Sequence, residues 1–325
     1  MLKIRDLVLE NKVIVAPMAG ITNVAFRKLL TRYKPGLYFN EMISDMALIY
    51  DNDRTWDMTR ILENEYPISF QLFGSKVETM VQAAQLLDAK TNCDVIDLNM
   101  GCPVHKITKQ GAGSALMKTP DLAYEIMKNV VEAVNKPVTM KMRIGWSEGS
   151  LNGVELAQLA EKAGIDTIYV HGRTRTQMYS GQSRNDKIKE IVDSVQIPVV
   201  GNGDIRSAQD ALDMVQETGC AGVMVGRALL NEPWLIQEIK DAFAGVESDL
   251  SLSIPQRLAF SLEHARELII QMGEKNGMRQ MRSHALWAFK GLPHSSTVKA
   301  RLSQIDTYQD LEHIVHGYLE TFHSQ

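Results

Sequence analysis

The stretch NMGCPVHK, Asn99 to Lys106, sets a cysteine directly before a proline, just beyond an apolar run that carries Asp97 and Asn99. A thiol there can serve as a proton donor or nucleophile, because its reference pKa of roughly 8.5 lies close to neutral pH. It can equally be a small buried hydrophobe, since unpaired cysteine is among the most buried residue types. Pro103 restrains Cys102 to extended backbone and so fixes where the sulfur points. Cys93 and Cys220 read as core residues. The three cysteines lie far apart with no CxxC pair, so neither a disulfide framework nor a metal site is expected.

Other residues could work beside that thiol. GNGD at 201–204 and GR at 226–227 have the small side chains that let backbone N–H groups approach a phosphate, although tight turns use glycine too. Lys141 and His171 would bring positive charge to a phosphate or to an electron-rich ring. GNGDIR places Arg206 where a dinucleotide fingerprint needs a third glycine, so no Rossmann nicotinamide domain is predicted.

The elements that must position these residues follow one pattern. Eight short β-branched runs, at 13–20, 36–44, 67–74, 94–101, 137–145, 167–173, 198–204 and 222–227, alternate with amphipathic segments such as VETMVQAAQLLDAK and SAQDALDMVQETG. Ser207 stands as an N-cap for the latter. Strict alternation demands a parallel sheet, and eight units fit a closed (β/α)8 TIM barrel with none left over. The opening residues predict a hairpin turning at Glu10 and Asn11 that would plug the lower mouth. The polar residues named above fall at strand ends, with Glu41 and Gln71 on the second and third strands. They form a ring around the face where such barrels carry their chemistry.

Residues 1–243 are therefore read as the barrel domain, 244–254 as a polar linker and 255–325 as a small C-terminal helical bundle domain. From Lys275 to Arg301 that bundle carries six basic residues, Lys275, Arg279, Arg282, Lys290, Lys299 and Arg301, and no Asp or Glu. This bias favours a phosphate-binding surface over a solvated helix face. The structural alternative pairs some of them with Glu263, Glu267 or Glu312. Trp287 and Phe289 read as bundle core. At 325 residues and 45% hydrophobic the chain can bury a large core. The net charge of −4 argues against an evenly cationic surface. No apolar run approaches the roughly 18 residues of a membrane span, so a cytoplasmic, monomeric protein is expected.

These motifs carry a resemblance. APMAG at 16–20, DLNMGCP at 97–103 followed by Lys106, GAGSALM at 111–117, KMRIGW at 141–146, HGRTR at 171–175, GNGDI at 201–205 and GR at 226–227 resemble the tRNA-dihydrouridine synthases, most closely the bacterial type B subgroup. The match runs over essentially the whole chain. The resemblance implies an FMN-bound barrel that reduces uridines of the tRNA D-loop with NADPH, or NADH, as electron donor. It assigns Pro17, Met18 and Ala19 to the flavin ring, Gln71 and Lys141 to its polar edge and His171 to its flank. Asn202, Gly203, Asp204, Gly226 and Arg227 would hold its phosphate. Cys102 would be the catalytic acid and Asn99 would face the target base. Lys106 and Arg143 are assigned to RNA and Arg173 and Arg175 to RNA or phosphate, while the basic bias of the tail assigns Arg279, Arg282, Lys290, Lys299 and Arg301 to RNA.

Under that resemblance the cysteine acquires a task. Saturating the C5=C6 bond of uracil needs a hydride at C6, which reduced flavin delivers from N5, and a proton at C5, which a thiol can donate. The uridine must first be turned out of the folded RNA, at about a few kcal/mol that contacts elsewhere offset. Rival readings are a flavin barrel of the dihydroorotate dehydrogenase type acting on a free pyrimidine, a sugar-phosphate isomerase or aldolase with a Schiff-base Lys141, and a non-catalytic tRNA-binding barrel. The basic tail has no purpose in the first, and the second leaves Cys102 and Gln71 unexplained. Flavin absorbance would remove the second and weaken the third.

Overall fold

A computed structural model describes residues 1–248, 250 and 252–323. Asp249 and Ser251 of the expected linker, and Ser324 and Gln325 of the expected bundle, lie outside the described residues. The strands in chain order are β1 (Lys3–Ile4), β2 (Leu7–Val8), β3 (Val13–Val15), β4 (Tyr38–Phe39), β5 (Ile43–Ser44), β6 (Ile68–Phe73), β7 (Val95–Met100), β8 (Val138–Arg143), β9 (Thr167–His171), β10 (Val199–Asn202) and β11 (Gly222–Val225). From β3 onward they form one parallel sheet in the order β3-β11-β10-β9-β8-β7-β6-β4, and the second expected strand is split into β4 and β5, both paired with β6. The sheet closes between its ends. Ile14 bridges Leu37 in parallel, Val15 N–H donates to Leu37 O at 3.0 Å, and Gly36 N–H donates to Val13 O at 2.7 Å. All eight sequence-predicted strands thus form the (β/α)8 barrel.

Helices cover the outside because each lays an apolar face on the strands. Val77–Lys90 buries Met80, Ala83, Ala84 and Leu87, three or four residues apart. Ala208–Thr218 starts where Ser207 accepts the Asp210 N–H at 3.1 Å, as its N-cap position requires. Strand register then fixes which polar side chains are neighbours. Gln71 lies beside Asp97, which lies beside Thr139. Arg143, His171 and Asn202 stand side by side near the strands' C-terminal ends.

The N-terminal plug is present, with a different turn. The hairpin reverses at Arg5 and Asp6, Arg5 taking a left-handed φ of 50°, rather than at Glu10 and Asn11. Arg5 is drawn across the barrel floor to Asp166 at 3.1 Å and Asn135 O at 2.8 Å. Asn11 instead joins strands, accepting Val13 N–H at 3.1 Å and donating to Lys34 O at 3.0 Å. Leu2, Ile4 and Leu9 enter the barrel base against Val95, Tyr169, Val200 and Met224.

A buried ion pair ties the helix Val24–Leu30 to the segment before β6: Arg27 meets Glu65, with side chains 1% and 0% exposed. Arg27 also donates to Thr22 O at 2.9 Å and Arg60 O at 2.8 Å, and Glu65 accepts Leu62 N–H at 3.0 Å. Both charges are therefore hydrogen-bonded as well as paired, which burial demands.

After the helix Leu235–Phe243 the strand signal ends, and four helices follow: Ile254–Met272, Glu274–Ala288, Ser296–Leu302 and Tyr308–His323. The third is short and starts at the end of GLPHSS, a breaker-rich run. Gly273, at φ 77°, makes the corner between the first two. The tail has its own core, around Leu258, Leu268, Met281, Phe289, Leu311 and Tyr318. It is also clamped to the barrel. Ala25 enters the tail core and Phe260 the barrel core. Glu267 pairs with Lys28 at 2.8 Å and Glu263 with Arg32, so both acids serve the barrel contact and not the tail's basic run. Gly20 O, in the segment after β3, is held by Gln280 and by His284 Nε2 at 3.0 Å, and His284 stacks on His264 at 4.9 Å. Burial in this contact pulls both histidines down, His284 to about 4, so they pack as neutral rings. No helix among the described residues is long and apolar enough to cross a membrane.

Candidate functional site

A cavity of about 890 Å³ opens at the C-terminal ends of the strands. Its wall draws Pro17, Met18 and Ala19 from the segment after β3, Gln71 from β6, Asn99 and Cys102 from the end of β7, and Lys141 and Arg143 from β8. His171 comes from β9, Asn202, Gly203 and Asp204 from the end of β10, and Gly226 and Arg227 from just past β11. The tail completes the wall with Trp287, Lys290 and Gly291. Strand ends converge at one mouth of a barrel, so residues far apart in sequence meet there. Phe289 is bundle core as expected, but Trp287 faces the cavity, with Lys290 Nζ 4.5 Å from its ring centroid.

Beneath the cysteine runs a ladder of side-chain hydrogen bonds. Asp97, fully buried, accepts from Thr139 Oγ1 at 2.7 Å and from Gln71 Nε2 at 2.6 Å. Asn99 Nδ2 donates to Gln71 Oε1 at 2.6 Å and lies 3.6 Å from the Met42 sulfur. Asn99 Oδ1 accepts the N–H groups of Cys102 at 2.9 Å and Gly101 at 3.2 Å. Every donor and acceptor site of the Asn99 amide is engaged within the protein, so Asn99 holds the cysteine loop while it also lines the cavity. Burial pushes the Asp97 carboxyl up to about 7, against the opposing pull of its two donors and of Lys141.

Burial raises the Cys102 thiol too, and the Val104 N–H, Arg143 and Lys141 offset this in part. The group is thus protonated at neutral pH, the form a proton donor needs. Lys141 is pulled down to about 8 by burial and by Arg143. Its ammonium donates to Asn202 Oδ1 at 3.0 Å, and Asn202 Nδ2 donates to Met224 O at 2.6 Å. A buried cation with a neutral amide partner is suited to an electron-rich ligand. His171 is held well below its ordinary value by burial and by the cations around it, so a neutral imidazole flanks the cavity.

Three of the arginines assigned to RNA have partners within the chain. Arg173, 1% exposed, pairs with Asp204 at 2.6 Å and donates to Ser180 O and Gly181 O. Arg143 holds the backbone oxygens of Gly101, Thr174 and Met178 at 2.7–2.9 Å. Arg282 donates to Ile305 O at 2.9 Å and pairs with Asp306. Their charge met partners that a sequence window does not show. Arg175 is half-buried on the Trp146 ring, 4.7 Å from its centroid. Lys106, Arg279, Lys290, Lys299 and Arg301 are exposed.

At the phosphate-seat motif, the Asp204 carboxylate is taken by Arg173, by Arg206 at 3.0 Å and by Ser183 N–H at 2.8 Å. Burial alone would raise it, but those bonds outweigh burial and hold it below the usual carboxylate range. Gly203, at φ 124°, could not carry a side chain, because a Cβ would come within 2.3 Å of Ser183 Oγ. Tyr179, which the sequence reading missed, lines the cavity with its ring centroid 4.5 Å from the Arg227 guanidinium and 5.7 Å from that of Arg143. Nothing in its local sequence marks it.

Comparison with known proteins gives the family and the fold. A family model described as dihydrouridine synthase matches residues 14–323. The chain is 38% identical over 312 residues to tRNA-dihydrouridine synthase B of Shewanella oneidensis, covering 96% of each. It is 38% identical over 311 residues to probable tRNA-dihydrouridine synthase 1 of Synechocystis sp., covering 95% of this chain and 86% of that one. Among solved structures, histamine dehydrogenase from Rhizobium sp. 4-9 superposes with a TM-score of 0.57 at 15% identity, over 82% of this chain and 50% of that chain. The last likeness is one of fold alone.

Proposed function

The chain belongs to the dihydrouridine synthase family, and from that membership we propose that it reduces the C5=C6 bond of uridines in the tRNA D-loop to 5,6-dihydrouridine, with FMN as cofactor and NADPH as reductant. The observation that carries this reading is the meeting of Cys102 and Lys141 in one cavity whose far wall is the helical tail. The residues present fit FMN. The cavity lies within the roughly 300–1,000 Å³ range of cofactor sites, and its base is a buried ammonium with a neutral partner. Lys141 would face the electron-rich edge of the ring, with Pro17, Met18, Ala19, Gln71 and His171 around it. Asn202, the backbone at Gly203 and Asp204, Gly226 and Arg227 would take the phosphate.

FMN, when bound, supplies the hydride. The chain's own task is the proton: Cys102, neutral and held at the strand end, would give it to C5 of the uracil. Trp287 and Lys290 on the tail side would bound the space the extruded base enters. A free pyrimidine would have no use for that wall or for the exposed cations of the tail, which speaks against the dihydroorotate-type alternative. We further propose that residues 1–243 and 255–325 act as the catalytic and RNA-binding parts of the enzyme. The test is to purify the protein, reconstitute it with FMN, and map dihydrouridine by mass spectrometry in tRNA from cells lacking it. Flavin absorbance and loss of dihydrouridine at D-loop positions are expected. A colourless protein that cannot take up FMN, or unchanged tRNA, refutes the proposal.

A further inference from the structure

The ladder under Cys102 has a direction. Asp97, when ionised, can only accept, so Gln71 must turn its NH2 toward it and its carbonyl toward Asn99. Asn99 must then offer its NH2 to Gln71 and its carbonyl to the other side. There it meets the N–H groups of Gly101 and Cys102, which can only donate. With Asp97 ionised the two ends agree, and flipping either amide would then set donor against donor and acceptor against acceptor. The register explains how a carboxylate inside the barrel reaches the rim: Gln71 is its lateral neighbour, and Asn99 lies two residues further along β7 on the same face.

We propose that Asp97 is a positioning residue, fixing from inside the barrel the donor–acceptor sense of the Gln71 and Asn99 amides and, through Asn99, the loop that carries Cys102. As a statement about the acid's placement it rests on the function proposed above, but its test does not need the loaded enzyme. Asp97→Asn keeps an acceptor for Gln71 Nε2, because its amide NH2 can face Thr139, whose hydroxyl rotates to accept. Asp97→Leu removes the acceptor, and Gln71→Met cuts the ladder at its middle rung.

The measurement is the rate of alkylation of Cys102 by iodoacetamide in the folded protein, read at each cysteine by mass spectrometry, with the buried Cys93 and Cys220 as internal references. Freeing the loop exposes the thiol. Asp97→Leu and Gln71→Met should each speed alkylation at Cys102 on the order of tenfold, the scale of one lost buried hydrogen bond, while Asp97→Asn stays near wild type. A wild-type rate in folded Asp97→Leu and Gln71→Met overturns the proposal. So does Asp97→Asn reacting as fast as Asp97→Leu, since charge and not the acceptor would then be responsible. If Asp97→Leu does not fold, Gln71→Met against Asp97→Asn decides. Parallel FMN uptake by the wild type tests the enzymatic reading independently: its failure would leave the alkylation result standing.

Discussion

Replacing Arg279, Lys290, Lys299 and Arg301 together with glutamine tests whether the tail grips RNA. All four side chains are exposed, whereas Arg282 of the same run is tied to Ile305 O and Asp306. Each cation that neutralises a phosphate contributes ~0.7 to ~0.9 to the slope of log affinity against log salt. Four contacts therefore contribute roughly 2.8 to 3.6, which over a fourfold rise in salt amounts to a roughly 50- to 150-fold loss of affinity. The variant should lose that part of the slope. Its melting temperature should hardly move, since exposed substitutions stay within about 0.5 kcal/mol, and the Lys290–Trp287 contact adds up to about 1 kcal/mol. Arg282→Gln is the converse control, costing about 1 kcal/mol of stability with the slope retained. The assay is tRNA binding at several salt concentrations beside a thermal melt. An unaltered slope in the folded quadruple variant would refute the reasoning.

Cys102→Ala should keep flavin and NADPH oxidation while dihydrouridine formation falls roughly 10²- to 10⁴-fold, and equal loss of both half-reactions would mark the residue as structural. Because burial raises the thiol, wild-type RNA reduction should hold through neutral pH and decline as pH climbs through that raised pKa, a limb that the Cys102→Ala profile should lack. Lys141→Met should purify with less FMN and bind added FMN more weakly by fluorescence titration; unchanged occupancy would deny the ammonium its part. Glu65→Gln leaves the buried Arg27 guanidinium uncompensated, so urea denaturation should show a loss of about 3 to 5 kcal/mol.

The barrel was legible because each of its strands is a β-branched run between turn residues, and the strand-end rule then placed the site. Cys102, Lys141 and the 201–204 and 226–227 motifs converge because strand ends must. What escaped is what depends on partners brought from a distance. The ion pairs of Arg173 with Asp204 and of Arg282 with Asp306 are examples, since neither acid is adjacent to its arginine in the sequence. Tyr179 and Trp287 carry no local sign that they wall the cavity. The hairpin turn moved from Glu10 and Asn11 to Arg5 because Asp166, 161 residues away, anchors it. The part Asn99 takes in holding the cysteine loop was not legible, because its partners Gln71 and Met42 come from other strands and loops.

The grip of Gln280 and His284 on the Gly20 carbonyl, with His264 stacked behind, joins the two sides of the cleft. One jaw, the segment carrying Pro17 to Ala19, and the other, the helix carrying Trp287, are fastened together a few residues from where each reaches the cavity. Swinging them apart would break that grip, two ion pairs and a buried stack of imidazoles at once. The boundary between barrel and tail, a break in the sequence pattern, is bridged by side-chain contacts in the molecule. Opening the cleft for a bulky ligand would therefore cost all of these contacts together. A ligand that instead presents a slender part to the cleft leaves them intact, and the cost of reshaping then falls on the ligand.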